Sequence, residues 1–236
     1  MYPVLFQIGS VSIYSYGFFV ALALLAATWA AVRRAAVSGF ARKEVSDLIF
    51  ILFASGVIGA RLLFIAQHFG DYRDDPLKIF SLREGGLVWY GGFIAAGIAG
   101  FAYAKWKRWP LLKGCDLVAP VLPLAHGIGR IGCFLNGCCY GKESGGFRHP
   151  VQLYEALSLF ALSALLLYLA SRGKRPDGGL FALYLLLYGV LRFLIEFWRG
   201  DQVLLGGLTV PQWMSLLLVA GSALLFFTLR KKHVRT

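Results

Sequence analysis

The residues best suited to chemistry in this chain are arginines that lie within apolar segments. Arg130 lies in the run 125–141, AHGIGRIGCFLNGCCYG, which is otherwise apolar, glycine-rich or small. A charge in such a segment is costly and usually marks a functional site. Gly127, Gly129 and Gly132 surround it and leave room for another helix or a lipid headgroup. The anion that a bilayer supplies is phosphate, which a planar guanidinium binds in a bidentate manner.

A second group of charges lies near the end of the sixth apolar segment. Arg192, Glu196 and Arg199 are spaced i, i+4 and i+7, which predicts one face of a helix. Together with Arg130 they predict a site with at least two guanidinium groups for a phosphate. The structural alternative is that Arg192 and Glu196 only neutralise each other. Arg130 has no acidic residue within a helical turn, which weakens that alternative for Arg130.

The elements that must position these residues are membrane-spanning helices. The chain is 58% hydrophobic and 15% aromatic, with a mean hydropathy of +0.66. Apolar windows of about 20 residues, enough to cross a bilayer, occur seven times. These windows are approximately 12–32, 46–67, 87–105, 115–135, 152–171, 179–198 and 209–229. The predicted fold is therefore an all-α integral membrane protein with seven transmembrane helices in a single domain, 1–236.

The basic residues predict the orientation of these helices. Of the 24 lysines and arginines, 15 fall in loops on one side, and such loops prefer the cytoplasm. They are Arg33, Arg34, Arg42, Lys43, Lys105, Lys107, Arg108, Lys113, Arg172, Lys174, Arg175, Arg230, Lys231, Lys232 and Arg235. The N-terminus is thus predicted outside and the C-terminus in the cytoplasm. The same distribution explains the net charge of +12 by contact with the lipid bilayer, and it argues against nucleic-acid binding.

Given this orientation, polar residues of six helices fall toward the outer surface. Besides the arginines above, they include Arg61 of the second span, Tyr16 of the first, Tyr90 of the third, and Gln152, Tyr154 and Glu155 of the fifth. Such convergence predicts a polar cavity that opens toward the outer leaflet. As alternatives, Arg61 pairs with Glu155 or Glu196, and the two tyrosines belong to the aromatic belt at the membrane surface.

Several segments together resemble one family, the bacterial prolipoprotein diacylglyceryl transferases. They are IYSYG (13–17), GGLVWYGGFI (85–94), HGIGRIGCFLNG (126–137), RHPVQLYE (148–155), LRFLIEFWRGDQ (191–202) and GLTVPQWMSL (207–216). The resemblance implies an enzyme of the bacterial cytoplasmic (inner) membrane. Its expected reaction is transfer of the diacylglyceryl group from phosphatidylglycerol to the lipobox cysteine thiol of prolipoproteins, with glycerol phosphate leaving. The resemblance implies no metal and no cofactor.

The family's functional residues can be carried over position by position. Arg130 and Arg192 match its two essential arginines, and Asn136 and Gly137 match the asparagine and glycine that follow the first. Further matches to the substrate-binding residues are Glu196, Arg199 and Tyr16. The phosphate site expected from the residues alone therefore coincides with the family's site.

Three positions depart from the better-known family pattern. Cys133 replaces an asparagine, Cys138 replaces a glutamate, and Tyr90 replaces a histidine that precedes two glycines. The reaction needs a base for the incoming thiol, since a thiolate is the nucleophile. The candidates are Tyr90, a poor base unless nearby arginines assist it, and His126, one helical turn before Arg130. For His126 the alternative is a hydrogen-bonded helix histidine.

The cysteines predict less. Cys115 lies near the cytoplasmic end of its span, whereas Cys133, Cys138 and Cys139 lie near the outer end, where oxidation is permitted. A disulfide from Cys133 to Cys138 or to Cys139 is conceivable if the backbone bends. A metal site would want a tighter pattern with histidine or more thiolates, and none is predicted. The simplest interpretation is small buried side chains that line a glycine-rich turn.

Two other function classes and one variant remain open. A transporter or binder of anionic phospholipid should carry polar groups into the cytoplasmic half, yet the inner halves are almost purely apolar. A retinal protein would need a lysine in the seventh span, and 208–229 contains none. A divergent family member that acts on another acceptor is the alternative that the three departures keep open.

Overall fold

Helices account for most of the computed structural model, which describes residues 2–9, 11–72, 79, 86–173, 175–200 and 203–234. Lys174 and Arg235 of the basic loops lie outside the described residues, as do Gly85, Asp201 and Gln202 of the family-like segments. The helices are α1 (Ser15–Ser38), α2 (Arg42–Gln67), α3 (Trp89–Trp106), α4 (Leu111–Val118), α5 (Val121–Asn136), α6 (Val151–Ser171), α7 (Gly179–Ile195) and α8 (Val210–Val234).

Six helical segments of the described residues are long and apolar enough to cross a membrane. They are Ser15–Ser38, Arg42–Gln67, Leu111–Asn136, Val151–Ser171, Gly179–Trp198 and Val210–Lys231. The chain is therefore an all-helical, multi-pass membrane protein, as predicted. The third predicted span corresponds to α3, an 18-residue helix that is not among the six. The count of seven spans stays a prediction.

The fourth predicted span is not one continuous helix. α4 ends at Val118, and α5 begins at Val121 after a turn at Ala119 and Pro120. Proline lacks an N–H and disfavours the interior of a helix, but it fits near a helix start. The Ser163 hydroxyl of α6 donates a hydrogen bond to the Pro120 carbonyl oxygen over 2.7 Å, which anchors this turn.

Three short antiparallel hairpins, which the sequence analysis did not predict, connect or precede the helices. They are β1 (Val4–Ile8) with β2 (Val11–Tyr14), β3 (Glu143–Ser144) with β4 (Phe147–Arg148), and β5 (Leu204–Leu205) with β6 (Leu208–Thr209). The second hairpin turns at Gly145–Gly146 and the third at Gly206–Gly207, all at positive φ. Two such residues between strands form the turn whose twist suits a hairpin. These glycine pairs were the available sequence signal.

The described structure forms two compact units, Met1–Ala31 with Leu112–Thr236 (the first unit) and Val32–Leu111 (the second unit). In the second unit, α2 and α3 approach closely through glycines. A Cβ on Gly59 would lie 2.2 Å from the Ala95 Cβ and 2.5 Å from the Gly91 carbonyl oxygen. Only the missing side chains allow this contact, as in other tightly packed membrane helices.

In the first unit, α6 lies at the centre of the packing. Its buried positions include Leu159, Leu162 and Leu166, and the last two pack with Ala119 and Leu180 in an apolar core. The start of the next helix is fixed by Asp116 of α4, whose carboxylate accepts hydrogen bonds from the Gly178 and Phe181 N–H groups, each over 2.7 Å. A carboxylate at a helix N-terminus satisfies free N–H groups and stabilises the helix dipole.

Candidate active site

Arg130 lies on α5, one of the helices of the first unit, where glycines let neighbouring helices approach. A Cβ on Gly127 would lie 2.7 Å from the Phe160 ring of α6, and one on Gly132 would lie 2.9 Å from the Phe19 Cβ of α1. A Cβ on Gly129 would meet nothing within 4 Å. Of the three glycines around Arg130, two therefore serve helix contact and one borders open space.

Arg130 faces an acid that is distant in sequence. Its Nη2 lies 3.0 Å from Glu155 Oε1 of α6, and both side chains are largely buried, with 14% and 3% exposed. The same oxygen lies 3.5 Å from His126 Nε2, one turn earlier on α5. Glu155 thus contacts the candidate base and the candidate phosphate-binding arginine together. The Arg130–Glu155 pair could not be predicted from the spacing of residues along one helix, because Arg130 lies on α5 and Glu155 on α6.

Arg192 and Glu196 form a second buried pair at the end of α7. Arg192 Nη1 lies 2.7 Å from Glu196 Oε2, and the other carboxylate oxygen accepts a hydrogen bond from the Thr209 hydroxyl over 2.9 Å. Arg199 Nε lies 3.9 Å from the same Glu196 Oε2. The three charged residues that the i, i+4, i+7 spacing selected do lie together.

The helix prediction for this group was wrong at its end. α7 ends at Ile195, Glu196–Trp198 form one turn of 3₁₀ helix, and Arg199 has an extended backbone. The Arg199 N–H therefore bonds to the Glu196 carbonyl oxygen, three residues back. Arg199 reaches Glu196 because the chain bends there, not because both lie on one face of a continuous α-helix.

Main-chain hydrogen bonds join the segment around Arg199 to the loop that follows α5. The Lys142 N–H donates to the Trp198 carbonyl oxygen over 2.8 Å, and the Gly200 N–H donates to the Tyr140 carbonyl oxygen over 3.3 Å. Gly141 pairs with Arg199 in an isolated bridge. This pairing brings Arg199 to the end of α5, close to the cysteines of that loop.

Gly137 forms the C-terminal cap of α5 and turns the chain toward these cysteines. Its φ of +81° lies in the left-handed region, and its N–H donates to the Cys133 carbonyl oxygen over 3.0 Å. The preceding Asn136 bonds through its side chain to Cys138. Both residues, carried over as substrate-binding positions, therefore shape this turn.

Three thiols, those of Cys133, Cys138 and Cys139, gather beside the turn. All four cysteines of the chain lie among the described residues and all are free, so neither of the conceivable disulfides is formed. The pKa of the Cys139 thiol is lowered because Cys133 donates a hydrogen bond to it and because Arg130 and Arg199 lie nearby, against the opposing effect of burial. Burial raises the pKa of Cys138.

Several buried polar atoms of these groups lack a well-aligned hydrogen bond within the described part of the chain. They are Arg130 Nε, both carboxylate oxygens of Glu155, Arg192 Nη1 and Glu196 Oε2. The ion-pair distances are short, but the N–H groups do not point along them. Unmet hydrogen-bonding capacity in a buried site is costly and suggests that another polar group belongs there.

The charges of this site favour an anion. The guanidiniums of Arg130, Arg192 and Arg199 carry three positive charges, and the carboxylates of Glu155 and Glu196 carry two negative ones. These five groups therefore sum to one positive charge when the histidine is neutral. Such groups act strongly on a ligand in a low-dielectric environment.

Tyr16 lies at the first turn of α1, within electrostatic range of Arg130 and Cys133. Tyr16 is 44% exposed. The close approach of α1 to α5 at Gly132, where a Cβ would lie 3.5 Å from the Tyr16 Cα, sets this position. The structure thus brings Tyr16 together with the arginine site of the first unit.

Arg61 and Tyr90 belong to the second unit. Arg61 is buried and donates hydrogen bonds from Nε to the Ile79 carbonyl oxygen (3.0 Å) and from Nη1 to the Gly86 carbonyl oxygen (3.2 Å). Glu155 and Glu196, considered above as its partners, contact arginines of the first unit. Tyr90 is partly exposed at the start of α3, and its ring packs edge-on against Trp89.

Gln152 and Glu155 were predicted as polar groups near the outer end of the fifth span, but no role in binding or catalysis was predicted for them. Gln152 is buried at the start of α6 and donates a hydrogen bond to the Cys138 carbonyl oxygen over 2.7 Å, which holds the cysteine loop. The available signal was the segment RHPVQLYE, which places an amide and an acid at the start of an apolar helix.

Comparison with known proteins gives one consistent family. Residues 3–228 match the family model described as prolipoprotein diacylglyceryl transferase. A phosphatidylglycerol–prolipoprotein diacylglyceryl transferase of Clostridium tetani is 37% identical over 217 residues, 85% of this chain and 86% of the relative. The one from Geobacter sulfurreducens is 36% identical over 92% of this chain and 89% of the relative. Phosphatidylglycerol–prolipoprotein diacylglyceryl transferase 2 of Clostridium perfringens is 33% identical over 94% of this chain and 93% of the relative.

Proposed function

Since the chain belongs to the prolipoprotein diacylglyceryl transferase family, we propose that it transfers the diacylglyceryl group of phosphatidylglycerol to the lipobox cysteine thiol of prolipoproteins. This reaction is the first step of bacterial lipoprotein maturation. The names of the relatives support both substrates. The observation in the structure that carries the proposal is the buried Arg130–Glu155 pair with His126 beside it.

In the proposed reaction the lipobox sulfur attacks carbon three of the glyceryl unit. The new bond is a thioether, and the bond from this carbon to the phosphate oxygen breaks. The electron pair of that bond goes to the oxygen, so glycerol phosphate leaves with added negative charge. Arg130 and Arg192 are proposed to hold this phosphate, because fixed cations at the position of developing charge lower the barrier most effectively in a buried site.

Ligand binding requires Arg130 to exchange part of its contact with Glu155 for the phosphate. Its Nε, which lacks a hydrogen-bond partner among the described residues, is available for this. A phosphate oxygen and Glu155 can then share the planar guanidinium, whose N–H groups point in several directions. The proposed site therefore needs rotation of a side chain rather than movement of a helix.

We assign the role of base to His126 rather than to Tyr90. Glu155, at 3.5 Å from its Nε2, can accept a hydrogen bond from an N–H at this nitrogen, which leaves Nδ1 free to take the proton of the thiol. An acidic residue that orients the imidazole is a common feature of such bases. Tyr90 is kept as the second candidate because it occupies the histidine position of the family pattern.

The remaining carried-over residues are proposed to contact the substrate or to shape its site. Tyr16 is proposed to contact the lipid headgroup, and Asn136 and Gly137 to set the turn beside it. Glu196 and Arg199 are proposed to position Arg192 and to complete the positive environment. Arg61 is proposed to act on substrate binding indirectly, through Ile79 and Gly86, whose carbonyl oxygens accept its hydrogen bonds.

The topology is proposed as seven spans, with α3 as the third, in one catalytic domain that comprises the whole chain, 1–236. The N-terminus then lies outside and the C-terminus in the cytoplasm, in agreement with the basic loops. The location is the bacterial cytoplasmic membrane, and the site faces the outer leaflet. Cysteine labelling from each side of intact cells at Val37, in the last turn of α1, and at Gly145, in the hairpin after α5, would test this orientation. Labelling of both positions from the same side would contradict it.

The function is tested with purified protein, phosphatidylglycerol and a lipobox peptide. Mass spectrometry should detect a peptide that gains one diacylglyceryl group, with stoichiometric release of glycerol phosphate. A matched peptide with serine for the lipobox cysteine, and phosphatidylethanolamine as the lipid, should give no product. Binding of phosphatidylglycerol without transfer to any thiol peptide would instead favour a phospholipid binder or a family member with another acceptor.

A further inference from the structure

The three cysteines at the end of α5 form a cluster that the proposed transfer reaction does not use. The sulfur atoms of Cys133, Cys138 and Cys139 all lie within 4.8 Å of one another. Cys133 is buried and the other two are partly buried. The positions are separated by four residues and then by none, so the sequence spacing alone does not suggest a ligand set.

The backbone after α5 is shaped to bring these sulfur atoms together. Gly137 caps the helix in the left-handed region, and the Cys138 N–H then bonds back to the Cys133 carbonyl oxygen over 3.2 Å. Cys139 has a φ of +61°, a backbone conformation that residues other than glycine adopt rarely. That conformation directs consecutive cysteines toward the same place. Such outliers concentrate at functional sites.

The sulfur separations match a thiolate metal site. Three sulfurs at about 2.3 Å from a central ion, the usual zinc–sulfur distance, lie about 4 Å apart in a planar triangle. The observed separations of 4.8 Å or less therefore require adjustments of under about 1 Å, within reach of side-chain rotation. A disulfide would join two of the three sulfurs and leave the third alone.

The surrounding charges favour an anionic metal complex. Arg199 donates a hydrogen bond to Cys139, and Arg130 lies within electrostatic range of Cys133 and Cys139. Three thiolates with one Cu(I) carry a charge of −2, and the net positive charge of the neighbouring three guanidiniums and two carboxylates offsets one unit of it. With Zn(II) the complex carries −1. Thiolates bind both of these ions well, and a group of three sulfur ligands, to which the described residues add no further His, Cys, Asp or Glu, suits Cu(I).

We infer that Cys133, Cys138 and Cys139 form a binding site for a thiophilic metal ion, with Cu(I) held by three thiolates as the preferred occupant. The site is separate from the phosphate-binding groups, although Arg130 and Arg199 border both. It does not depend on the proposed transfer reaction, because the ligands and their geometry belong to the loop after α5.

The inference is tested by anaerobic titration of the reduced, full-length protein with Cu(I) against a chromophoric chelator. One Cu(I) should bind per chain. Loss of an outer-shell partner costs about 10–100-fold in metal affinity, so loss of a ligand in Cys139→Ser or Cys138→Ser should cost at least about 100-fold. Cys115→Ser is the matched control, since this cysteine lies on α4 and is not part of the cluster. Equal affinity of all these variants would overturn the inference.

A second measurement identifies the ligand atoms directly. X-ray absorption of the copper-loaded protein should show three sulfur ligands at one Cu(I), and Zn(II) should compete only weakly. Two or fewer sulfur ligands, or a shell of nitrogen and oxygen, would overturn the site even if copper binds. Failure of both ions to bind more tightly than they bind the Cys133→Ser protein would have the same meaning.

Discussion

Arg61 and Arg130 both lie within apolar helices, but their guanidinium groups contact different kinds of partner in the two units. In the second unit, Arg61 donates to two main-chain carbonyl oxygens, and its guanidinium lies 5.6 Å from the centres of both the Phe64 and the Tyr72 rings. In the first unit, Arg130 meets the carboxylate of Glu155, and its Nε lacks a partner among the described residues.

This difference in contacts indicates different roles for the two arginines. The described contacts of Arg61 are with neutral carbonyl oxygens and aromatic faces, and they join it to Ile79, Gly86, Phe64 and Tyr72. A carboxylate, in contrast, resembles phosphate in charge and geometry, so Arg130 is already set for an oxyanion. The depth of an arginine in a membrane span therefore does not by itself identify a ligand site, whereas its partners do.

Replacement of the two arginines is the sharpest test of this comparison. Arg130→Ala should lower kcat/KM for phosphatidylglycerol by about 10²–10³-fold, the usual effect of removing a group that stabilises developing negative charge. Arg61→Ala should lower it by less than about 10-fold and mainly reduce the thermal unfolding temperature, since it removes hydrogen bonds worth about 1–3 kcal/mol each. Equal losses of activity in the two variants would contradict the comparison and place Arg61 on the phosphate.

The two candidate bases extend the comparison, because His126 lies beside Arg130 and Tyr90 lies in the unit of Arg61. His126→Gln should lower kcat by about 10²-fold, the lower range for loss of a positioned base. Tyr90→Phe should change kcat by less than about 3-fold, far below that range. Single-turnover transfer to a lipobox peptide is the measurement. The reverse ranking would transfer the role of base to Tyr90.

Glu155→Gln tests whether the partner of Arg130 positions the site. We expect kcat to fall about 10-fold, because His126 loses the acid that orients it, well within the contribution of a positioned base. The KM for phosphatidylglycerol should not rise, because Arg130 is freed for the phosphate. The matched control is Glu143→Gln, whose partner Arg148 lies 3.6 Å away in an exposed pair and contributes little to stability. A rise in KM alone would mean that Glu155 binds substrate directly.

The smallest effect on activity is expected from the helix contact of the second unit. Gly59→Ala places a Cβ 2.2 Å from the Ala95 Cβ and should destabilise the protein by about 1–3 kcal/mol. Gly56→Ala, one turn earlier on α2, meets its neighbours at 3.8 Å or more and should be tolerated. Thermal unfolding in detergent compares the pair. Equal unfolding temperatures would mean that α2 and α3 can separate at no cost.

Much of the fold followed from local sequence patterns. The predicted segments 46–67, 152–171 and 179–198 agree closely with Arg42–Gln67, Val151–Ser171 and the span Gly179–Trp198. The break between α4 and α5 was missed, because apolar length outweighed the prolines of that segment. The hairpins were not predicted because their strands, of two to five residues, are much shorter than the apolar runs from which the helices were predicted.

The candidate site was predictable where its members lie close in sequence. The spacing of Arg192 and Glu196 predicted a contact, which the structure has at 2.7 Å. The pairing of Arg130 with Glu155 was not predictable, since the two lie 25 positions apart with a hairpin between them. Which residue of one helix meets which residue of another depends on helix rotation and depth, and periodicity does not specify either.

The sequence by itself determined that this chain is a helical membrane protein with arginines in costly apolar surroundings, because hydropathy and charge act along the local chain. Its motifs also determined the family. Only the tertiary structure decided which arginine is satisfied by the main chain and which faces an acid. It also decided that three cysteines spaced unlike a metal motif meet beside two guanidiniums, because a left-handed glycine cap and the paired segments 140–142 and 198–200 bring them there.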